Sequence, residues 1–257
     1  MKTISIGCCG FPVSRKKYYE VFNVVELQNT FYELPTIEWA ENLRKEAPAE
    51  FEFTVKAWQV ITHPYTSPTW KKMKKKLSGD LENYGYLKPT IENINAFVKT
   101  IELARVLRSN FIVLQTPSSM PNTDEMIKKV DEFFEKITPH LQRGLSIGWE
   151  IRGDLIRNMD LVKILEKHNV IHVVDIFRNK PLHIGDPRTL YIRLHGIGPG
   201  EVNYKYNYTV DDLEKLRSML IREDYSIGYI FFNNVRMYDN ASLFKNMLVK
   251  DKSLRVV

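Results

Sequence analysis

Short apolar, β-branched runs recur along the chain, and most of them end abruptly in hydrogen-bonding side chains. Val24 and Val25 lead into Glu26, Gln28, Asn29 and Thr30; FTVKA ends at Lys56; GWEIR at Glu150 and Arg152; YIRLHG at Arg193 and His195; IFFNN at Asn233 and Asn234. Runs of this length and composition read as strands buried on both faces, as in a parallel sheet. Polar groups at their ends must pair internally or face something polar. The pattern predicts strands at residues 3–8, 23–28, 51–57, 111–115, 145–150, 170–175, 190–195 and 227–232.

Helical periodicity fills the gaps between them. A short helix is expected within the RKKYYEVF stretch, and a second runs from an N-cap at Thr36 to a stop at Pro48. Thr90 caps a long helix to Arg108, on which Ile91, Ile94, Phe97, Val98, Ile101 and Leu107 form one apolar stripe. Asn122 opens a helix to Ile137; others cover 161–167, 209–222 behind a Thr209 cap, and 240–249. Strict βα alternation implies parallel strands and right-handed crossovers. Eight such units suit a closed TIM barrel, which needs about 250 residues and carries its site at the C-terminal face. The expectation is a single α/β barrel domain over residues 1–257, with residues 58–89 inserted after the third strand as a lysine-rich loop or helix.

Composition narrows the class further. The chain has 257 residues, 44% apolar and 26% charged, as ordinary globular proteins do. A net charge of +6, from 37 basic and 31 acidic residues, gives a modest positive field suited to anionic ligands or nucleic acid. The two cysteines, Cys8 and Cys9, are adjacent, so no disulfide framework can form, and they read as buried small apolar residues. No signal-peptide pattern opens the sequence, and no apolar run approaches the roughly 18 residues of a membrane span. A cytoplasmic, non-membrane protein is expected.

Six stretches in order also carry a resemblance: IGCCGFP, VVELQNTFYELP, FEFTVKAWQVITH, GWEIR, YIRLHG, and FFNN followed by Asp239-Asn240-Ala241. Together they resemble the YecE-like family of TIM barrels, a domain of unknown function. The resemblance implies the barrel and a site at the strand ends, and brings no reaction with it. Gln28 stands where many members have asparagine, and a tryptophan-rich segment after the first glycines is absent.

Residues two apart on a strand share a face, which pairs Glu26 with Gln28, Thr54 with Lys56, Glu150 with Arg152, and Arg193 with His195. If each pair faces the lumen, Glu26, Lys56, Glu150, Arg152, Arg193 and His195 line one cavity. The plainer alternative is a salt-bridge network closing the barrel top. Glu150 and His195 are the acid/base candidates, with Glu26 and Lys56 beside them. Lys56 serves as a base or Schiff-base nucleophile, or, as fits better beside two arginines, as a cation for an anion. Gln28, Asn29, His63, Arg152, Arg193, Asn233 and Asn234 are candidate substrate contacts. Gly196 and Gly198 sit in a GIGPG loop whose amides could cradle an oxyanion. His168 is expected to act on a helix dipole, His172 to pack in a strand, and His140 and His183 to lie on loop surface.

A divalent metal on Glu26, Glu150, Asp175, His63 and His195 is a further expectation, although no metal-ligand spacing supports it. Lys71, Lys72, Lys74, Lys75 and Lys76, close in sequence to Tyr65, Trp70, Tyr84 and Tyr86, resemble a single-strand binding surface. A solvated helix face explains them more simply. The sequence therefore predicts an enzyme, a hydrolase such as a phosphoesterase or nuclease, or an isomerase, acting on an anionic or phosphorylated, hydroxyl-bearing substrate. Its alternatives are a nucleic-acid-binding protein or nuclease using the basic segment, and a ligand-binding barrel without catalysis.

Overall fold

Every apolar run folds as a strand within two residues of its expected ends: β1 Lys2–Cys8, β2 Val24–Leu27, β3 Glu52–Lys56, β4 Phe111–Gln115, β5 Ser146–Glu150, β6 Ile171–Val173, β7 Thr189–Leu194 and β8 Ile227–Phe232. The computed structural model describes residues 1–251 and 253–257. Among these a ninth strand, β9 Leu254–Val256, corrects the expected eight; it pairs with the start of β1, Lys2 opposite Leu254. Three residues with one buried side chain give no periodicity to detect. The strands hydrogen-bond in two sheets, ordered β7-β8-β1-β9 and β2-β3-β4-β5-β6. The registers of β1 with β8 and β9, of β4 with β3 and β5, and of β7 with β8 are parallel. Isolated parallel bridges join Cys9 to Glu26 and Val174 to Ile192. The protein is an α/β fold with parallel sheets. No helix of the described residues is long and apolar enough to cross a membrane.

The chain divides into two compact units, Met1–Glu26, Pro48–Glu52 and Ile171–Val257 forming the first, and Leu27–Ala47 and Phe53–Val170 the second. In the first, α9 (Met237–Leu248) lays Ala241, Phe244 and Leu248 against β1 and β8, with the Phe244 ring 6.0 Å from Phe232. Helix α1 (Arg15–Tyr19) supplies Tyr18, whose hydroxyl accepts from Cys8 N at 2.8 Å and donates to Val24 O at 2.9 Å. Gly7 permits that close approach, because a Cβ there would lie 2.4 Å from the Val24 carbonyl oxygen. Helix α8 (Val210–Arg222) starts at Thr209 as expected, in a reciprocal capping box with Asp212.

In the second unit, α5 (Ile91–Val106) packs against α3 (Ile37–Glu46), α4 (Gln59–Thr62), α6 (Asp124–Ile137) and β4. Thr36 and Thr90 cap α3 and α5 as the sequence predicts. The opening of α6 needs correction: Thr123, not Asn122, accepts from Met126 N, while the Asn122 side chain donates to Asp154 O and accepts from Asn158. Strand β2 ends at Leu27, and Gln28 turns into a short helix, α2 (Asn29–Tyr32), so strand parity does not carry Gln28 onto the face of Glu26. Residues 58–89 are not a free loop. They contain α4 and two 3-10 turns, and Gly85, Tyr86 and Leu87 donate backbone bonds to Val60, Thr62 and Ile61. The lysine run is exposed but not a helix face; its 3-10 turn ends at Lys72, and the amides of Lys74 and Lys75 donate to Glu33. Helix α7 (Asp160–Lys167) ends at His168, which adds to the expected dipole contact a bond of 2.6 Å to the Asp131 carboxylate.

Candidate functional site

In the first unit the polar strand ends form two clusters. At the end of β2, the fully buried Glu26 carboxylate accepts from Tyr191 OH at 2.8 Å and from Arg193 Nε at 3.1 Å, with Arg193 Nη2 at 2.9 Å. Cys9 Sγ completes the group 3.4 Å from Glu26 Oε1. Burying two opposite charges costs several kcal/mol per ion and is repaid only by close pairing. Glu26 and Arg193, expected as a catalytic and a substrate-binding residue, are engaged with each other in this arrangement. Burial, with the Glu26 carboxylate beside it, pushes the Cys9 thiol well above its ordinary range, and burial raises Cys8 to about 12, which suits inert core thiols.

The second cluster surrounds His195, which is buried. Asp175 Oδ2 accepts from His195 N at 3.0 Å and lies 3.9 Å from its ring Nδ1. The Arg178 guanidinium, 3.7 Å from the same carboxylate, donates to the carbonyls of Gly196 and Gly198 at 2.7 and 3.4 Å, and also to Gly200. The glycine loop is thus held by its carbonyls, and the Gly196 amide donates to Tyr208 OH. Gly196, with φ of 88°, has no room for a Cβ, which would meet Asn203 O at 2.1 Å. Asn234 is buried and donates to Tyr206 O and Asn240 Oδ1, linking the loop before α8 to α9; Asn233 is half-buried. Sequence reasoning missed Tyr191 and Arg178. Alternation back from Arg193 would have found Tyr191, whereas Arg178 sits in a loop without a periodic signal. His172 packs in β6 as expected, and His140 is exposed.

In the second unit, β3 and β5 carry a different arrangement. Lys56 is 7% and Glu150 6% exposed, and the Lys56 ammonium lies 4.0 Å from the Phe31 ring centroid. Glu150 Oε1 accepts from Arg152 Nε at 2.7 Å. Glu150 stands opposite Gln115 of β4 in register, and its carbonyl accepts from Thr116 N. His63 is buried, packs edge-on to Phe31 at 5.0 Å, and bonds Thr62 Oγ1 through Nδ1 at 2.8 Å. Burial first, then the Lys56 and Arg152 cations, lower its pKa from 6.5 to about 3, with Glu150 opposing them. His63 is therefore neutral at pH 7, beside the Lys56 and Arg152 cations and the Glu150 carboxylate. Gln28 is half-buried and Asn29 exposed at the start of α2.

The shift of His63 has a thermodynamic consequence. The unfolded imidazole takes up its proton near pH 6.5 and the folded one only near pH 3. The contribution is complete above 6.5 and is lost as pH falls toward 3, at up to about 1.4 kcal/mol per unit. Urea unfolding across that range should show a shallower pH dependence for His63→Gln than for the parent; an unchanged slope would remove His63 as its cause.

Comparison with known proteins fits this fold. The structure aligns with a DUF72 family protein from Enterococcus faecalis V583 at a TM-score of 0.72 and 17% identity, covering 97% of this chain and 98% of that one. A DUF72 family protein from Thermotoga maritima MSB8 aligns at 0.70 and 22% identity, covering 96% and 100%. The IOLI protein, solved with a zinc atom bound, aligns at 0.58 and 12% identity, covering 96% and 97%. No curated protein matches the chain. A zinc site does not fit the donors here: among the described residues no three His, Cys, Asp or Glu side chains are grouped to hold a metal, and Glu26 and Glu150 each have an arginine within 3 Å. A family model described as "Protein of unknown function DUF72" matches residues 14–255, and the chain belongs to that family.

Proposed function

We propose that the protein is an enzyme acting on an anionic or phosphorylated, hydroxyl-bearing small molecule, bound where β3 and β5 end. The observation that carries this reading is the charge balance of the second-unit cluster. Lys56 and Arg152 stand with one carboxylate, Glu150, and with His63 held neutral, so the cluster offers two cations to a ligand. Water is largely excluded there, and an anion gains more from those cations than it would on the surface. In this reading Lys56 and Arg152 hold the anion, and Glu150, oriented by Arg152 Nε, moves the proton. His195, with Asp175 beside its ring, is a second acid/base candidate, in the first unit. Hydrolysis of a phosphoester and isomerisation of a sugar phosphate both suit a carboxylate base beside two cations. The reading also takes residues 1–257 as one closed eight-stranded barrel; the parallel registers and the Cys9–Glu26 and Val174–Ile192 bridges support it.

A second reading rests on the lysine run. Lys71, Lys72, Lys74, Lys75 and Lys76 are all exposed, and Lys72 lies 4.5 Å over the Tyr32 ring. Such a surface suits a nucleic-acid backbone.

Two measurements test these readings. Glu150→Gln keeps an acceptor for Arg152, so its melting temperature should stay near the parent's. Turnover, found by screening the parent against phosphoesters and sugar phosphates, should fall about 10²- to 10⁴-fold. A variant that melts far below the parent, with turnover per folded molecule unchanged, would make Glu150 structural. Single-stranded oligonucleotide binding, if the lysines carry it, should weaken steeply with salt through counterion release. Salt-independent binding, or none at low salt, leaves them a solvated surface.

A further inference from the structure

In the first unit β7 and β8 are each followed by a helix, but β6 is not: the connection over residues 174–188 is made of turns and extended chain alone. Successive crossovers of a βα fold pack beside one another, so a helix in that connection would have covered one flank of α8. The flank is open instead. Asp211, Glu214, Lys215, Ser218, Met219 and Arg222, spaced as one helical stripe, line a groove of about 550 Å³ together with Phe177 of the turn after β6. No other helix of this unit packs closely along α8 among the described residues.

The stripe is graded in charge. Its acids, Asp211 and Glu214, stand in the first two turns and Arg222 in the last, with Lys215 between them. Asp211 and Arg222 make no ion pair among the described residues, and Glu214 meets Arg217 at 3.3 Å only as an exposed pair. Ser218 sits midway. Its hydroxyl donates back to Glu214 O at 2.9 Å, so the centre of the stripe is small and already satisfied. Met219 and Phe177 are half-buried, and Val210 and Ile221 on the same helix are 57% and 42% exposed. Helix polarity alone favours acids at the start and bases at the end. It does not account for apolar side chains left uncovered beside them.

We propose that this face pairs with the same face of a second copy of the chain, α8 lying antiparallel to α8 about a two-fold axis at Ser218. A two-fold interface must be self-complementary, because one surface patch meets itself reversed. The stripe meets that condition. Glu214 and Arg222 are each four residues from Ser218, about 6 Å along the helix. Arg222 of one copy therefore comes level with Glu214 of the other, within a turn of its Asp211, and the match is repeated on the far side of the axis. Side-by-side parallel pairing would set acid on acid and base on base, which electrostatics disfavours. A uniformly acidic or basic partner would suit only one half of the stripe. One helix pair buries less than the roughly 1,600 Å² of a standard stable interface, so the dimer is a weak one that forms at high concentration.

Sedimentation equilibrium of the full chain, at concentrations up to about 1 mM, tests it. The parent should dimerise, and less so at high salt, where charge pairing is screened. Arg222→Glu, and separately the paired change Asp211→Lys with Glu214→Lys, should each raise the dimer dissociation constant at least about tenfold, since each sets like charges together twice. These positions are exposed, so both variants should fold. An equimolar mixture of the two variants should associate as the parent does, because the reversed charges complement each other across the heterodimer. Should one variant fold poorly, the other and the salt dependence still decide. A parent that stays monomeric at millimolar concentration overturns the proposal and leaves the groove to a partner of other chemistry. A parent dimer that neither reversal weakens overturns it too, because that dimer uses another surface. So does a mixture that fails to associate, since the loss in the variants would then have a cause other than charge pairing across α8.

Discussion

A charge carried out of water at the end of a buried strand must be matched, and this protein's polar strand ends are organised by that requirement. Glu26 is the clearest case. Its carboxylate has no solvent exposure and lies among Tyr191, Arg193 and Cys9, drawn from two other parts of the first unit. Each partner reaches it because the parallel register sets β7 and β1 at fixed heights. Gly7, beside Val24, is the residue that lets β1 come close enough. The pairing therefore constrains the backbone as much as the backbone constrains the pairing.

The same requirement is met differently at the ends of β3 and β5. Glu150 is matched by Arg152 and Lys56 adds a second cation, while His63 gives up its proton, first because it is buried and then because of those cations. Neutralising an imidazole is the inexpensive response, since its ordinary pKa lies close to neutral pH. Neutralising lysine or arginine would require a far larger shift. The result is a cluster in which two cations, one carboxylate and a neutral imidazole lie close together. In the proposed reading, a buried pair engaged with itself marks a structural network, and a cluster with two cations marks a binding site.

Much of this was legible in the chain. The apolar runs located eight strands, and threonines 36, 90 and 209 marked three helix starts, because capping depends on a local hydroxyl and a local amide. Lys56, Glu150, Arg193 and His195 were found as polar breaks in apolar runs. What the sequence could not distinguish was which of these residues would spend their charge on each other. That outcome depends on register between distant strands, as between Glu26 and Arg193. The lysine run misled in the opposite direction, since its composition suits a helix, while Glu33 draws its backbone amides into an irregular turn.

The most direct test compares two arginines with the two roles. Arg193→Met and Arg152→Met should be measured side by side for thermal unfolding and for binding of inorganic phosphate. The account predicts that Arg193→Met, which strips a cation from a fully buried carboxylate, loses roughly 3 to 5 kcal/mol of stability. Arg152→Met, whose guanidinium keeps some solvent contact and which leaves the Lys56 cation in the same cluster, should lose clearly less stability than Arg193→Met and most of its phosphate affinity. Equal destabilisation of the two, or phosphate binding that survives Arg152→Met, would contradict the division between a structural pair and a binding cluster.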